Sequence, residues 1–311
     1  MATEENKEYL DVKALILLLI LTLVWGINHP SIKYVNQGIA PVFASALRSV
    51  IASLCGVIYC LWRKEKIFHT DINLLHGVVV GLLFGLEFAC IYIGLLYTDA
   101  ARSIIFLYTS PFIVAVGAHF LLDGDRLTSL KTLGLVAAFM GVLVVFYGRP
   151  DAAKPSMFIG DILEIIAAFF WAATTLYVKR MTVREELTAL QLLFYQLAFS
   201  APLLLVAALV LERGHLTIAW RADSVLSLVY QTVVIAAVSY LAWFWLIQQY
   251  RVTSLGSFTF LSPLFGVILG GVLLGEELPA LLWLGLALAA AGIYLVNRPP
   301  RAAAVLEAGS T

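Results

Sequence analysis

Residues 21–33, LTLVWGINHPSIK, and residues 167–179, AAFFWAATTLYVK, spell one pattern twice, 146 positions apart. Trp25 falls on Trp171, Asn28 on Thr174 and Lys33 on Lys179. Further along, Ser110-Pro111 recurs as Ser262-Pro263. Gly124-Asp125, Gly134 and Gly141 recur as Gly275-Glu276, Gly285 and Gly292 at a constant offset of 151. A unit of about 150 residues is far longer than the ~20–50 residue period of a solenoid, so the chain reads as a duplicated domain. The orientation of one copy against the other then decides what the molecule can do.

Composition places the duplicated unit in a membrane. The 311 residues are 61% hydrophobic and only 13% charged, well outside the range of a soluble domain. Net charge is zero, so nothing points to nucleic acid or an acidic partner, and the lipid bilayer is the expected surroundings. Cys55, Cys60 and Cys90 sit inside apolar runs at spacings that suit neither a disulfide framework nor a metal site. They read as small inert hydrophobes, and no cofactor or metal is expected.

Ten stretches are long enough to cross about 30 Å of hydrocarbon, which takes roughly 20 apolar helical residues. They lie near 12–35, 41–62, 73–97, 102–122, 128–148, 158–181, 187–211, 223–249, 253–274 and 279–297. Turn and charge signals separate them, among them Asn36-Gln37-Gly38, Arg63-Lys64-Glu65-Lys66 and Gly148-Arg149-Pro150. Helix is the default, because an open sheet cannot satisfy its backbone in lipid. The first stretch is too long for a signal peptide and no small-residue cleavage site follows it, so it is expected to stay attached.

Lysine and arginine set the orientation. With the N-terminus inside, the inner loops and tails hold 13 of them and the outer loops only five: Arg102, Arg149, Lys154, Arg213 and Arg221. That bias puts both termini in the cytoplasm. Five helices per copy is odd, so the second copy enters from the opposite side. The fold class expected is all-α integral membrane, ten transmembrane helices in two inverted five-helix repeats. The first repeat spans 1–149, an outer linker 150–157, the second repeat 158–298, and a disordered cytoplasmic tail 299–311. In an inverted repeat each half can adopt either of two shapes, and exchanging the shapes turns an outward-open cavity into an inward-open one. The site lies near the midplane, between the halves. A carrier is the reading, rather than an enzyme. No HExxH, no GxSxG and no close pair of membrane-embedded aspartates supports the enzyme alternative.

At these motifs the chain resembles the drug/metabolite transporter superfamily and its EamA-domain members. Trp25-Gly26-x-Asn28 with Lys33, Arg48, Asp161 with Trp171-Ala172 and Lys179-Arg180, and the run from Ser262-Pro263 through Leu274-Gly275-Glu276 to Gly285 and Gly292 carry the resemblance. It covers essentially the whole chain. Gly124-Asp125 departs from it, where the family usually has Gly-Glu. The resemblance implies a ten-helix exporter or exchanger of small metabolites, often amino acids, in a bacterial inner membrane. Aromatic amino acid exporters of the YddG type look like the nearest relatives. The expected cargo is therefore a zwitterion with a large apolar or aromatic side chain, moved outward. A broad-specificity drug or metabolite exporter and a carrier of nucleotide sugars or phosphorylated metabolites are the alternatives. The latter needs cavity cations, for which only Arg48 and Lys33 are candidates.

Ionisable groups inside a span are costly, so each needs a reason. Glu87 is the deepest acid, and its repeat partner is Ser239, so it breaks the pseudosymmetry as a recognition group would. It could meet a substrate ammonium or lock helix packing. Glu87 and His29 are the groups that could carry a coupling proton, though facilitated diffusion needs neither. Arg48 and Glu164 are expected to pair as a structural ion bridge, because an unpaired buried charge costs far more. His119 reads as a packing histidine. Asn28, His29, Glu87, Tyr108, Trp171, Thr175, Ser239 and Tyr240 are the expected substrate contacts. Pro111 and Pro263 are the expected hinges: each lacks a backbone donor and leaves the carbonyl four residues earlier, at Leu107 and Thr259, without its helical partner. Gly77, Gly81 and Gly85, and Gly266 with Gly270, are expected to mark close helix contacts.

Overall fold

The computed structural model describes residues 9–63, 71–147, 155–184, 187–214, 216–274 and 278–298. Residues 150–154 of the expected linker, the loop residues 64–66, the pair Gly275-Glu276 and the tail 299–311 lie outside the described residues. Among those described, the protein is all-helical; the one extended contact is an antiparallel bridge between Ile39 and Ile218. Among the described residues, nine helical segments are long and apolar enough to cross a bilayer, and a shorter apolar helix, Leu282–Asn297, follows them.

In chain order, span 1 is Val12–Asn36, span 2 Pro41–Arg63, span 3 Asp71–Tyr97, span 4 Ala100–Leu121 and span 5 Ser129–Phe146. Span 6 is Met157–Arg184, span 7 Ala189–Leu211, span 8 Ala222–Gln249, span 9 residues 252–274 and span 10 Leu282–Asn297. Span 4 begins at Ala100 because Asp99 caps it, its carboxylate accepting from the backbone N–H groups of Ala101 and Arg102. Span 2 is capped from a distance: Glu212, at the end of span 7, accepts from the N–H groups of Val42 and Phe43 at 2.7 and 2.9 Å. The burial pattern is that of a membrane protein. Large apolar side chains such as Ile58, Phe120, Phe169, Val206 and Val238 face outward, whereas Arg48, Glu87, Glu164, Gln196 and Gln231 are buried.

The inverted repeat is visible where spans 5 and 10 cross. A Cβ on Gly134 would stand 2.7 Å from the Gly292 carbonyl oxygen, and one on Gly141 would stand 2.5 Å from that of Gly285. Gly134 is the repeat equivalent of Gly285, and Gly141 of Gly292. Each residue of the first copy thus meets the equivalent of the other, which is the signature of a two-fold relation. The helices run antiparallel there, so the axis lies across them, in the membrane plane. Between the copies, span 3 packs along spans 6 and 7. Gly77, Gly81 and Gly85 face Tyr195, Phe199 and Leu203, and Gly94 approaches Gly160. Side chains at those glycines would force the helices apart. Gly266 of span 9 lies against Gly26 of span 1.

Three spans are broken near their middles, each three residues before a proline. Span 1 breaks at Ile27 before Pro30, span 4 at Tyr108-Thr109 before Pro111, and span 9 at Phe260 before Pro263. The cause is common: proline offers no N–H to the carbonyl four residues back and its ring crowds that turn. Span 8 is irregular by another route, widening into a π-helix over Tyr230–Ser239. Val12 and Asn297 both lie at one face, here called the terminal face, together with the described C-terminal ends of spans 2, 4, 6 and 8.

Candidate functional site

The irregular segments meet at the centre of the bundle. Around one small cavity stand Trp25, Asn28 and His29 from the break in span 1, and Glu87, Phe88 and Ile91 from span 3. Leu107, Tyr108 and Ser110 come from the break in span 4, Trp171 from span 6, Ile235 and Tyr240 from span 8, and Thr259 from the break in span 9. Both repeats contribute, as an alternating-access site requires. Larger grooves lie on the flanks: one of about 590 Å³ carries Ser31, Lys33, Tyr34, Gln37, Ser227 and Tyr230 among apolar residues and glycines, one of about 580 Å³ is mostly apolar, and neither reaches Glu87 or the breaks in spans 4 and 9.

Aromatic packing fixes the walls. Trp25 and Trp171, the repeat equivalents, both rest on Trp243: ring centroids are 5.2 Å apart for Trp25, nearly edge-on, and 5.5 Å for Trp171, nearly stacked. Trp25 Nε1 donates to Ser239 Oγ at 2.9 Å, and Ser239 Oγ donates to the Ile235 carbonyl at 2.7 Å. Ser239 therefore holds the Trp25 ring, one layer behind the cavity wall. Tyr240 meets Phe84 edge-on at 5.2 Å and donates a long hydrogen bond of 3.4 Å to Glu87 Oε1. Ile235 and Tyr240 stand five residues apart and reach the same cavity because the π-helix widens that turn.

Several polar atoms aimed at this region are buried and unpartnered among the described residues: Asn28 Oδ1, His29 Nε2 and Glu87 Oε2. The free volume is about 50 Å³, room for a few water molecules and not for an amino acid. The cavity is thus contracted in the described state.

Of the expected contacts, the structure brings Asn28, His29, Glu87, Tyr108, Trp171 and Tyr240 to one cavity. Thr175 is buried one turn beyond Trp171 and does not line it, and Ser239 stands behind Trp25. Leu107 and Thr259, whose carbonyls Pro111 and Pro263 cannot satisfy, are both in the wall. Not anticipated as contacts were Ile91, Ser110 and Ile235. Ile91 carries a legible signal, one helical turn after Glu87.

One expectation is corrected. Arg48 and Glu164 do not form an ion pair: Glu164 Oε1 accepts from Ser103 Oγ at 2.7 Å, while the Arg48 guanidinium carbon lies 3.7 Å from the centre of the Phe88 ring. Glu164 faces spans 3 and 4, beside Gly94, whereas Arg48 reaches from span 2 and meets Phe84, Phe88 and Tyr92 first. Ion pairs do form nearer the ends of the spans, Arg102 with Asp161 and Lys131 with Asp125, the latter at 2.9 Å. Asp125 also accepts from the Thr253 N–H at the start of span 9. His119 accepts a hydrogen bond from the Leu127 N–H at 3.3 Å, away from the cavity.

A ten-helix bundle of inverted halves with a polar, aromatic-walled cavity between them defines a membrane carrier. The chain belongs to the EamA-like transporter family, whose model matches twice, over residues 12–147 and 158–298. It is 28% identical to a Bacillus subtilis transporter, YvbV, over 95% of each chain. It is 25% identical to a protein of Escherichia coli K12 named a probable amino-acid metabolite efflux pump, over 90% of this chain and 93% of that one. A solved crystal structure matches with a TM-score of 0.74 at 18% identity, covering 90% of this chain and 94% of that one. The protein is a multi-pass membrane transporter, not an enzyme.

Proposed function

We propose that this transporter exports amino acids with large apolar or aromatic side chains by alternating access, with both termini in the cytoplasm of a bacterial cell. The observation that carries the reading is the cavity itself: Trp25, Trp171, Phe88 and Tyr240 wall a space into which Glu87 presents a carboxylate with one oxygen unpartnered. Rings of this kind give an ammonium cation–π energy of about 0.5–2 kcal/mol. Burying a large apolar side chain adds roughly 1.5–3 kcal/mol. Glu87 meets the substrate ammonium; Asn28, His29 and Tyr108 supply polar contacts, and Ser239 and Thr175 support the wall behind them. Pro111 and Pro263 act as hinges, since the backbone is already broken next to each. The Escherichia coli and Salmonella typhimurium relatives named as probable amino-acid metabolite efflux pumps support the substrate class.

A phosphorylated cargo suits the site less well, because Lys33 lines a flank groove and Arg48 is left as the single candidate cation near the cavity. The test is uptake of labelled amino acids into proteoliposomes, with and without a proton gradient. Phenylalanine, tryptophan or leucine should enter well above protein-free vesicles. Failure of every neutral amino acid to move overturns the substrate class, and dependence on the gradient assigns a coupled proton.

A further inference from the structure

Arg48 is a buried charge on which Tyr92, Tyr240 and Glu87 act electrostatically without a hydrogen bond to it. Its side chain is fully buried, and Nε, Nη1 and Nη2 all lack a hydrogen-bond partner among the described residues. What holds it is an aromatic ladder on span 3: the guanidinium carbon is 3.7 Å from the Phe88 centroid, 5.3 Å from Phe84 and 5.9 Å from Tyr92. A stacked ring satisfies the face of a guanidinium, but not its N–H donors, which lie in its plane. Tyr92 Oη is buried and unpartnered on the same ladder, as is Ser45 Oγ one turn from Arg48 on span 2. A buried, hydrogen-bond-hungry cation is expensive to keep unless something else supplies acceptors.

We propose that Arg48 is the receptor for the substrate carboxylate, covered by Phe88 in the contracted state and uncovered when the cavity widens. Phe88 is the link: its ring lines the cavity and is also the surface on which Arg48 lies. A turn of that one side chain joins the guanidinium to the space where Glu87 Oε2 waits without a partner. The planar fork of arginine matches a carboxylate through two parallel hydrogen bonds, a geometry lysine cannot reproduce. Arg48 and Glu87 therefore form two poles, one for each charge of an α-amino acid, with the side chain left for the tryptophans. The inference rests on the amino-acid reading above and sharpens it: the cargo needs both a carboxylate and an ammonium.

The experiment compares phenylalanine, phenethylamine and 3-phenylpropionate as competitors of phenylalanine uptake by the parent protein, Arg48→Gln and Arg48→Lys. The parent should prefer phenylalanine to phenethylamine by more than tenfold. Arg48→Gln should lose at least tenfold in apparent affinity for phenylalanine and bring that preference close to unity. Arg48→Lys should fall between. A merely structural arginine would lower the amount of transporter without changing the ratio between amino acid and amine, so an unchanged ratio in a folded variant overturns the proposal. Should no amino acid move at all, thermal stabilisation of the purified protein by 3-phenylpropionate decides. Stabilisation of the parent and not of Arg48→Gln upholds a carboxylate site while the amino-acid reading falls; equal or no stabilisation sinks both. If the variants fail to fold, phenylglyoxal labelling of the parent at Arg48, read by mass spectrometry, replaces them. Protection by 3-phenylpropionate but not by phenethylamine is the supporting result, and no selective protection the refuting one.

Discussion

Removing the Lys179 charge should unlock the terminal face. Lys179 Nζ donates to the Ile247 carbonyl at 2.7 Å and reaches that of Gln248 at 3.4 Å, tying span 6 to the last turn of span 8. Its repeat equivalent, Lys33, lines a flank groove on the opposite half of the membrane instead. The offset that aligns Glu87 with Ser239 makes Leu95 and Leu96 the counterparts of Ile247 and Gln248. If the halves exchange shapes, Lys33 closes onto the end of span 3 as Lys179 lets go of span 8. A charged donor on a carbonyl contributes about 1.5–3 kcal/mol, and a cation at a helix C-terminus adds ~0.3–1 kcal/mol. Lys179→Met keeps the apolar stem and removes roughly 2–3 kcal/mol of closure, a shift of about 30- to 150-fold in the open-to-closed ratio. The assay is labelling by a membrane-impermeant maleimide of a Thr175→Cys reporter, in a chain with Cys55, Cys60 and Cys90 replaced by serine. Applied from the terminal face, the reagent should react at least tenfold faster in Lys179→Met and no faster in Lys33→Met. Rates within twofold of the parent, in folded Lys179→Met, would refute the lock.

Glu87→Gln should raise the KM for a neutral amino acid roughly ten- to a hundredfold, the worth of about 1.5–3 kcal/mol for a charge-assisted hydrogen bond, with the melting temperature little changed; uptake kinetics and a thermal melt check both parts. Gly141→Val drives a side chain toward the Gly285 carbonyl and the Ala289 backbone nitrogen, which are main-chain atoms that cannot step aside. It should cost about 1–3 kcal/mol or more and lower the yield of monodisperse protein in size-exclusion chromatography. Pro263→Ala returns a donor to the Thr259 carbonyl and straightens span 9; turnover should fall severalfold in exchange assays while equilibrium substrate binding stays within about twofold, since the change acts on motion.

How far the sequence could be read depends on how local each signal was. Span positions and the break residues were legible because hydropathy and proline act within one turn: 102–122 against Ala100–Leu121, and a carbonyl four residues before each Ser-Pro proline. The antiparallel course of spans 5 and 10 followed from the odd helix number once the repeat was seen, whereas the contact of Gly134 and Gly141 with Gly292 and Gly285 did not. Partner choice was not legible. Arg48 and Glu164 are opposite charges at similar expected depth, and nothing in one dimension says that Ser103 takes the acid and an aromatic ladder the arginine. Nor did it say that span 8 adopts π-helical winding, so Ile235, five residues from Tyr240, fell on no α-helical face that pointed to the cavity.

The repeat also shows where mechanics and chemistry separate. Parts that must move or pack alike in both halves are duplicated: the Ser-Pro breaks, the Gly134/Gly285 and Gly141/Gly292 pairs, the tryptophans resting on Trp243, and the lysines of spans 1 and 6. Groups with the chemistry to choose a solute are not. Glu87 faces Ser239 across the repeat and His29 faces Thr175, so the acid and the imidazole of the cavity belong to the first copy alone. That division has a physical reason. Alternating access needs two conformations of nearly equal energy, which symmetry provides without tuning. A zwitterion, by contrast, has one positive and one negative end, and a symmetric cavity would offer each end the same partner. Specificity therefore has to be written into the departures from the repeat, and a variant that exchanges Glu87 and Ser239 should keep the carrier's motion while turning its substrate around or losing it.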